Sequence, residues 1–311
     1  MLSRAGYLGP PRDDDPSWAL KSAGELAVAF AVPERLEVVD STNRYLLELA
    51  SLARDGGSEV PEGYAVVAER QSEGRGRLGR RWEAPAGSAV LCSILLRPDL
   101  EPDRLHLAAW AVALAAVQAC RENAGLTLSL KWPNDLVTGA GSPAGQAACG
   151  QGASERKVAG VLSEVLAARP EDPGRRERIA DAVVVGIGIN VNWPADFPPP
   201  GSKDPDLLSI AARATSLNRL AGRRIDRSDL VSRLLRHTGT RSAMLASHEG
   251  RRALASEYRL GSATVGREVR ADLGGETVTG TALDIDDDGC LLVSTGICIR
   301  TIAAGDIVHL R

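Results

Sequence analysis

The chain has 311 residues, 44% of them apolar and 25% charged, and a net charge of −3. This describes an ordinary globular protein of one large domain or two unequal ones. The slight acidity argues against DNA as a partner, and no apolar run approaches the roughly 18 residues of a transmembrane helix, which argues against a membrane.

Met1–Pro16 carries Asp13-Asp14-Asp15 and no apolar core of a signal peptide. Five cysteines (Cys92, Cys120, Cys149, Cys290, Cys298) are odd in number and lack C-x-x-C spacing. That argues against a disulfide framework and a zinc site, and predicts a cytoplasmic protein. Residues 1–30, with Gly9-Pro10-Pro11 and an apolar patch from Trp18 to Phe30, read as a loose arm with at most one helix. They are too short for a helix-turn-helix domain with its own core.

From Ser41 the pattern sharpens. Ser41 or Thr42 is expected to cap a helix whose apolar stripe is Leu46, Leu49, Ala50 and Ala53, ended by Asp55-Gly56-Gly57. Tyr64–Ala68 predicts a buried strand, Gln71–Arg81 a Gly/Arg loop, and Ser88–Leu96 a second strand. Leu105–Ala119 predicts a long alanine-rich helix, with Cys120 in the core behind it. Thr127–Lys131 predicts a strand running into Trp132-Pro133-Asn134-Asp135. Gly139–Glu155 is rich in Gly, Ala, Ser and Gln and reads as a surface insertion. Val158–Leu166 and Asp181–Val191 predict two strands separated by a charged turn at Pro170–Arg178. Pro194–Pro205 reads as a loop, and Ser228–Leu245 and Arg251–Leu260 as helices. Strands and helices mix without a regular βαβ rhythm, which predicts an α+β fold with a mixed or antiparallel sheet.

Beyond Ala263 the texture changes. Short alternating runs (Val265–Ala271, Thr277–Leu283, Cys290–Val293, Ile297–Ile302, Ile307–Leu310) are separated by Gly274-Gly275, Asp288-Gly289 and Thr295-Gly296. Evenly spaced short strands with glycine turns predict a small barrel. The expected organisation is an extension at 1–30, a main domain at 31–262 and a C-terminal domain at 263–311.

The segment Gly74-Arg75-Gly76-Arg77-Leu78-Gly79 matches G-x-G-x-x-G, and Asp99 lies 20 residues beyond Gly79. A dinucleotide fingerprint needs a helix opening at its third glycine. Here Glu83-Ala84-Pro85-Ala86-Gly87 follows, and arginines crowd the close backbone approach. Glycine lets a backbone move, and arginine offers a fixed charge and a bidentate donor. The segment therefore suits a mobile loop closing over an anion, or else a solvated basic turn. Lys131–Asp135 places a cation and a carboxylate at a strand end. Lys157-Val158-Ala159-Gly160 puts a lysine at the start of a strand whose glycine leaves room for a neighbour. Gly186-Ile187-Gly188-Ile189-Asn190-Val191-Asn192 has the same feature. No G-x-x-x-x-G-K-[ST] occurs, so this is not a P-loop enzyme.

Taken in order, Asp40-Ser41-Thr42-Asn43, Gln71 with Gly74–Arg80, Lys131–Asp135, Lys157–Glu164, Gly186–Asn192 and the tail Gly305–Leu310 resemble the biotin–protein ligases, over residues 36–311. The resemblance implies a mixed sheet flanked by helices, of the class II aminoacyl-tRNA-synthetase type, with an SH3-like C-terminal barrel. It implies that ATP activates biotin as biotinyl-5′-AMP, with pyrophosphate leaving. A lysine of the biotin carboxyl carrier domain of an acyl-CoA carboxylase then takes the biotinyl group. Two anions meet in the first step, so positive charge must offset their repulsion.

Position by position, the resemblance implies that Ser41, Thr42, Asn43 and Gln71 bind biotin, whose ureido ring needs donors and acceptors. Gly74, Arg75, Gly76 and Arg77 form the loop over biotin and the adenylate. Gly160 and Gly188 flank biotin. Lys157 contacts the biotin carboxylate and the α-phosphate and is the main catalytic charge, with Arg75 and Arg77. Trp82 supports the adenine side. Lys131, Asn134, Asp135 and Asn190 shape the ATP site, with Asp135 as a ligand of Mg2+. Glu73 and the length of Gly139–Glu155 depart from the family pattern. Lipoate–protein ligase and a bifunctional ligase and repressor are the rival readings, the second disfavoured by the shortness of residues 1–30.

Overall fold

The computed structural model describes Phe30 and residues 32–138, 155–168 and 180–310. The expectations for residues 1–29, for most of Gly139–Glu155 and for Pro170–Arg178 lie outside the described residues. Seven strands make the main sheet: β1 (Glu34–Val39), β2 (Ala65–Gln71), β3 (Ala89–Leu96), β4 (Leu128–Lys131), β5 (Asp135–Thr138), β6 (Lys157–Ala167) and β7 (Ala180–Asn190). Their order is β1-β2-β3-β7-β6-β5-β4. Only the β1–β2 pair is parallel, so the sheet is mixed.

Helices cover both faces. The first helix, α1 (Thr42–Asp55), lies on one face and buries Leu46 and Ala50, with Leu49 and Ala53 packed beside them. On the other face lies α2 (Leu107–Ala124), whose alanines and Trp110 are buried almost all round. Small side chains let α2 sit close to the sheet and leave its outer side for α5. Among the described residues the remaining α-helices are α3 (Pro205–Arg213), α4 (Leu217–Ala221), α5 (Arg227–Met244) and α6 (His248–Leu260).

Strand alternation divides the core between the two faces. In β7, Val183, Val185, Ile187 and Ile189 point to α2, and Ala182 and Val184 join the α1 cluster. Gly186 and Gly188 continue the α1 side beyond the helix. This bare stretch of sheet becomes the floor of the site.

Most predicted elements occur, shifted by a few residues. Ser41 is the N-cap of α1 through its backbone, not through the expected side-chain hydrogen bond. Four elements were not expected. In β1, the sequence Glu34-Arg35-Leu36-Glu37 is half-exposed and lacks clean alternation. The four residues of β5 complete a hairpin with β4 around Trp132-Pro133-Asn134. Helix α3 begins with the Asp204 side chain capping Asp206 and Leu207 at the end of the expected proline loop. The five-residue α4 is too short for a periodic signal. Cys92 and Cys120 are fully buried, and among the described residues Cys92, Cys120, Cys290 and Cys298 are free thiols.

The C-terminal strands are β8 (Glu268–Asp272), β9 (Thr277–Ile285), β10 (Leu291–Ser294), β11 (Ile299–Ile302) and β12 (Asp306–His309). They form an antiparallel sheet in the order β11-β10-β9-β8-β12. The expected barrel lacks a closing ladder: among the described residues β11 and β12, four residues each, make no pairing with one another. The chain enters this sheet along the free edge of β4. Leu130 N–H donates to Gly261 O at 2.8 Å, and Ala263 N–H donates to Leu130 O at 2.8 Å. Trp132 then ties the two sheets, donating from its backbone N–H to Thr264 Oγ1 (3.0 Å) and from Nε1 to Gly289 O (2.9 Å).

Arg227, the first residue of α5, is fully buried and pairs with Glu69 of β2 (Nη1–Oε2 2.9 Å, Nη2–Oε1 3.3 Å). Removing one member of a buried pair strands the other. Arg227→Met should therefore lower stability by about 2 kcal/mol, somewhat under the usual cost because Glu69 keeps some contact with water. Urea unfolding checks this, and adding Glu69→Gln should recover part of the loss.

Candidate active site

Two cross-strand rows build the floor. Leu91, Gly188 and Gly160 are register partners across β3, β7 and β6; Ser93, Gly186 and Leu162 form the next row on the same face. A Cβ on Gly186 would lie 2.2 Å from Asn43 Oδ1, and one on Gly188 would lie 2.4 Å from the Trp82 ring. The glycines are therefore required by what rests on them. The resulting pocket, with about 350 Å³ of empty space including its mouth, is lined by Ser41, Thr42, Asn43, Gln71, Arg75 and Trp82 above these rows.

A continuous hydrogen-bond chain orders the polar wall. Gln71 Oε1 accepts from Thr42 N–H (2.8 Å) and Thr42 Oγ1 (3.0 Å). Ser93 Oγ lies 2.7 Å from Thr42 Oγ1 and 2.6 Å from Asn43 Oδ1, so its one proton serves either. Asn43 Nδ2 donates to Leu162 O (3.1 Å) and Glu164 Oε2 (2.8 Å), and Glu164 Oε1 pairs with Arg75 Nη1 at 2.9 Å. Ser93, Glu164 and Gly186 were not assigned to the site from sequence. The signal for Ser93 was a lone hydroxyl in the otherwise apolar run Ala89–Leu96.

The Gly/Arg loop folds back on itself. Gly76 N–H donates to Arg80 O (2.7 Å), and Trp82 N–H donates to Gly74 O (2.9 Å). A Cβ on Gly74 would strike Trp82 O at 2.2 Å. Arg77–Gly79 is one 3-10 turn with Leu78 in the left-handed region (φ 55°), and no helix opens at Gly79. This excludes the dinucleotide reading. The loop also touches the C-terminal sheet: Arg77 Nη2 donates to Gly305 O (3.2 Å) and Arg80 pairs with Asp306. Glu73 turns outward to Arg44 (3.1 Å) and leaves the loop arginines alone.

A charged cluster adjoins the pocket. Lys157 Nζ lies 2.6 Å from Asp135 Oδ1, a close charge contact without aligned hydrogen-bond geometry, and 5.4 Å from the Trp82 ring centre. Arg77 Nη1 donates to Asn134 Oδ1 (3.2 Å), and Asn134 Nδ2 donates to Val161 O (2.9 Å). Burial lowers the Arg77 pKa, against the pull of Asp306 and Asp135. Tyr258 of α6 braces the turn beneath, stacking on Trp110 (4.1 Å) and donating to Pro133 O (3.3 Å).

Lys131 is not a free cation; its Nζ pairs with Glu155 Oε1 at 2.8 Å. Asn190 is buried at the end of β7, beside Ala89. Trp82 rests against Gly160 and Gly188, among the residues expected for biotin.

Burial pushes the Glu155 carboxyl up, but hydrogen bonds from His309 and Lys131 outweigh it and bring it to about 2. The stability from this shift is present above the usual value of 4.5 and is lost as pH falls toward 2. Glu155→Gln should remove that part of the acid sensitivity, as read by denaturation across this range.

Residues 35–190 match the model of the biotin/lipoate A/B protein ligase family, and residues 264–310 match the biotin protein ligase C-terminal domain. The biotin–[acetyl-CoA-carboxylase] ligase of Mycobacterium tuberculosis is 34% identical over 282 residues, covering 89% of this chain and 90% of that protein. The chain belongs to the biotin protein ligase family. The bifunctional ligase/repressor of Bacillus subtilis is also 34% identical, over 87% of this chain and 72% of that protein. The biotin protein ligase of Aquifex aeolicus, solved with biotin and ATP, superposes with a TM-score of 0.67 at 27% identity, covering 91% of this chain and all of that one. The protein is therefore a ligase with the mixed sheet and C-terminal module of its family. Among the described residues no helix is long and apolar enough to cross a membrane.

Ser93→Ala should remove the donor shared by Thr42 and Asn43 and leave one buried acceptor unpaired, costing about 1–2 kcal/mol of pocket order. Calorimetry should show biotin affinity falling roughly tenfold, with the fold retained.

Proposed function

We propose that this ligase activates biotin with ATP as biotinyl-5′-AMP and transfers it to a lysine of the biotin carboxyl carrier domain of an acyl-CoA carboxylase. The observation that carries the reading is a donor–acceptor pocket lined by Arg75, with Lys157 beside its Gly160 and Trp82 wall. The pocket wall from Ser41 to Gln71 offers hydroxyl and amide groups suited to a ureido ring, and its floor is apolar. Lys157 stands at the rim, where the carboxylate of a ligand bound in the pocket would emerge. As carboxylate and α-phosphate approach, Lys157 exchanges Asp135 for the reacting oxygens and offsets the charge that builds in the transition state. Arg75 and Arg77 close over the product and keep water from the mixed anhydride.

Trp82 then belongs to both halves of the site, with its indole between the biotin tail and the nucleotide. Lys131, Asn134, Asp135 and Asn190 are assigned to ATP. Among the described residues no cluster of three ligating side chains could hold a metal by itself. Asp135 fits as a single ligand to Mg2+ that is otherwise held by phosphate oxygens, the usual manner of Mg2+ binding. When bound there it would offset phosphate charge.

The working organisation stays an extension at 1–30, a catalytic domain at 31–262 and a C-terminal domain at 263–311, in a cytoplasmic enzyme. We assign it no repressor activity. The net charge of −3 supports this.

The test is pyrophosphate release from Mg-ATP with biotin, and with lipoate in parallel, followed by labelling of a carrier domain. Biotin should be strongly preferred, and Lys157→Ala should lower the adenylation rate about a hundredfold or more. Preference for lipoate, or near-normal activity of the variant, would overturn the assignment.

A further inference from the structure

The Lys131 ammonium is held by a circuit that leaves the main sheet and returns to it. Glu155 Oε1 pairs with Lys131 Nζ at 2.8 Å, and Glu155 Oε2 lies 2.8 Å from His309 Nδ1. His309, on the last strand β12, has its side chain 8% exposed. Its Nε2 lies 3.1 Å from Thr264 Oγ1, and Thr264 Oγ1 accepts the backbone N–H of Trp132, the residue after Lys131. The path thus runs from the Lys131 side chain through Glu155, His309 and Thr264 to the peptide unit that follows Lys131.

The donor and acceptor roles along the path are mutually consistent. Glu155 accepts on both oxygens, so His309 carries its proton on Nδ1. Its Nε2 shares a hydrogen bond with the Thr264 hydroxyl, while a Thr264 lone pair takes the Trp132 N–H. A lysine on a four-carbon stem otherwise samples many rotamers. Here it is fixed from both ends of one residue, and the fixing group belongs to the C-terminal sheet.

We propose that His309 is a positioning residue for ATP binding: through Glu155 it sets where the Lys131 ammonium stands, so the C-terminal sheet acts on the nucleotide half of the site. This rests on the assignment of Lys131 to ATP under the proposed function. His309 itself touches no substrate. A group that acts on a binding cation, and not on the reacting atoms, should change KM for ATP more than kcat.

The experiment is steady-state pyrophosphate release by the full chain, varying ATP and biotin separately. His309→Leu should raise KM for ATP about tenfold, with kcat altered less than threefold and KM for biotin unchanged. His309→Asn, whose amide N–H can replace the Nδ1 donor, should restore most of the ATP affinity. Glu155→Gln should give a similar rise, and the double variant His309→Leu/Glu155→Gln should be no worse than either single one. Thermal melts accompany each variant. Three results would overturn the inference: an unchanged KM for ATP in His309→Leu, equal rises for ATP and biotin together with a lowered melting point, or no rescue by asparagine. A wild-type chain that releases no pyrophosphate would instead refute the proposed function, and the inference with it.

Discussion

A sheet covered on both faces has no room for a ligand unless side chains are missing from it, because protein interiors are close-packed. Here the missing side chains are those of Gly160, Gly186 and Gly188, set in adjacent cross-strand rows just past the end of α1. Everything else at the site depends on that opening. Asn43 descends onto Gly186, Trp82 lies on Gly188, and Ser93 reaches up between Thr42 and Asn43. The helix start, the strand end at Gln71 and the Gly/Arg loop are brought together because each has a groove or a donor waiting on this floor.

The charges around the opening are held in pairs. Arg75 faces Glu164, Lys157 faces Asp135, Lys131 faces Glu155 and Arg80 faces Asp306. Cations next to carboxylates avoid mutual repulsion while no anion is present, and each can exchange its partner for a ligand oxygen. The pairs also join separate elements: Glu164 links the loop to β6, and Asp306 links it to the C-terminal sheet.

Much of this was legible in the sequence, for identifiable reasons. Long periodic stretches such as α2, and apolar strands such as β3 and β7, carry their own signal. The motif residues proved to be neighbours because they sit at strand ends and turns, where local chemistry is distinctive. What sequence did not reveal was relational. Ser93 is ordinary until β3 is paired with β7 and α1 is laid above it. Glu155, at the edge of a low-complexity stretch, gained meaning only when β12 brought His309 beside it. The edge strand β1 was missed because its outer residues face water and blur the alternation that marks a half-buried strand.

We propose that the glycine-floored pocket and the Lys157 rim form one site for a carboxylate and an α-phosphate. A crystal structure with biotin and a non-hydrolysable ATP analogue tests it most directly. The ureido ring should lie against Ser41–Asn43 and Gln71, the bicyclic ring over the Gly160–Gly188 row, and Lys157 Nζ within hydrogen-bonding distance of both carboxylate and α-phosphate. A ligand bound with its carboxylate away from Lys157, or outside the glycine rows, would contradict it.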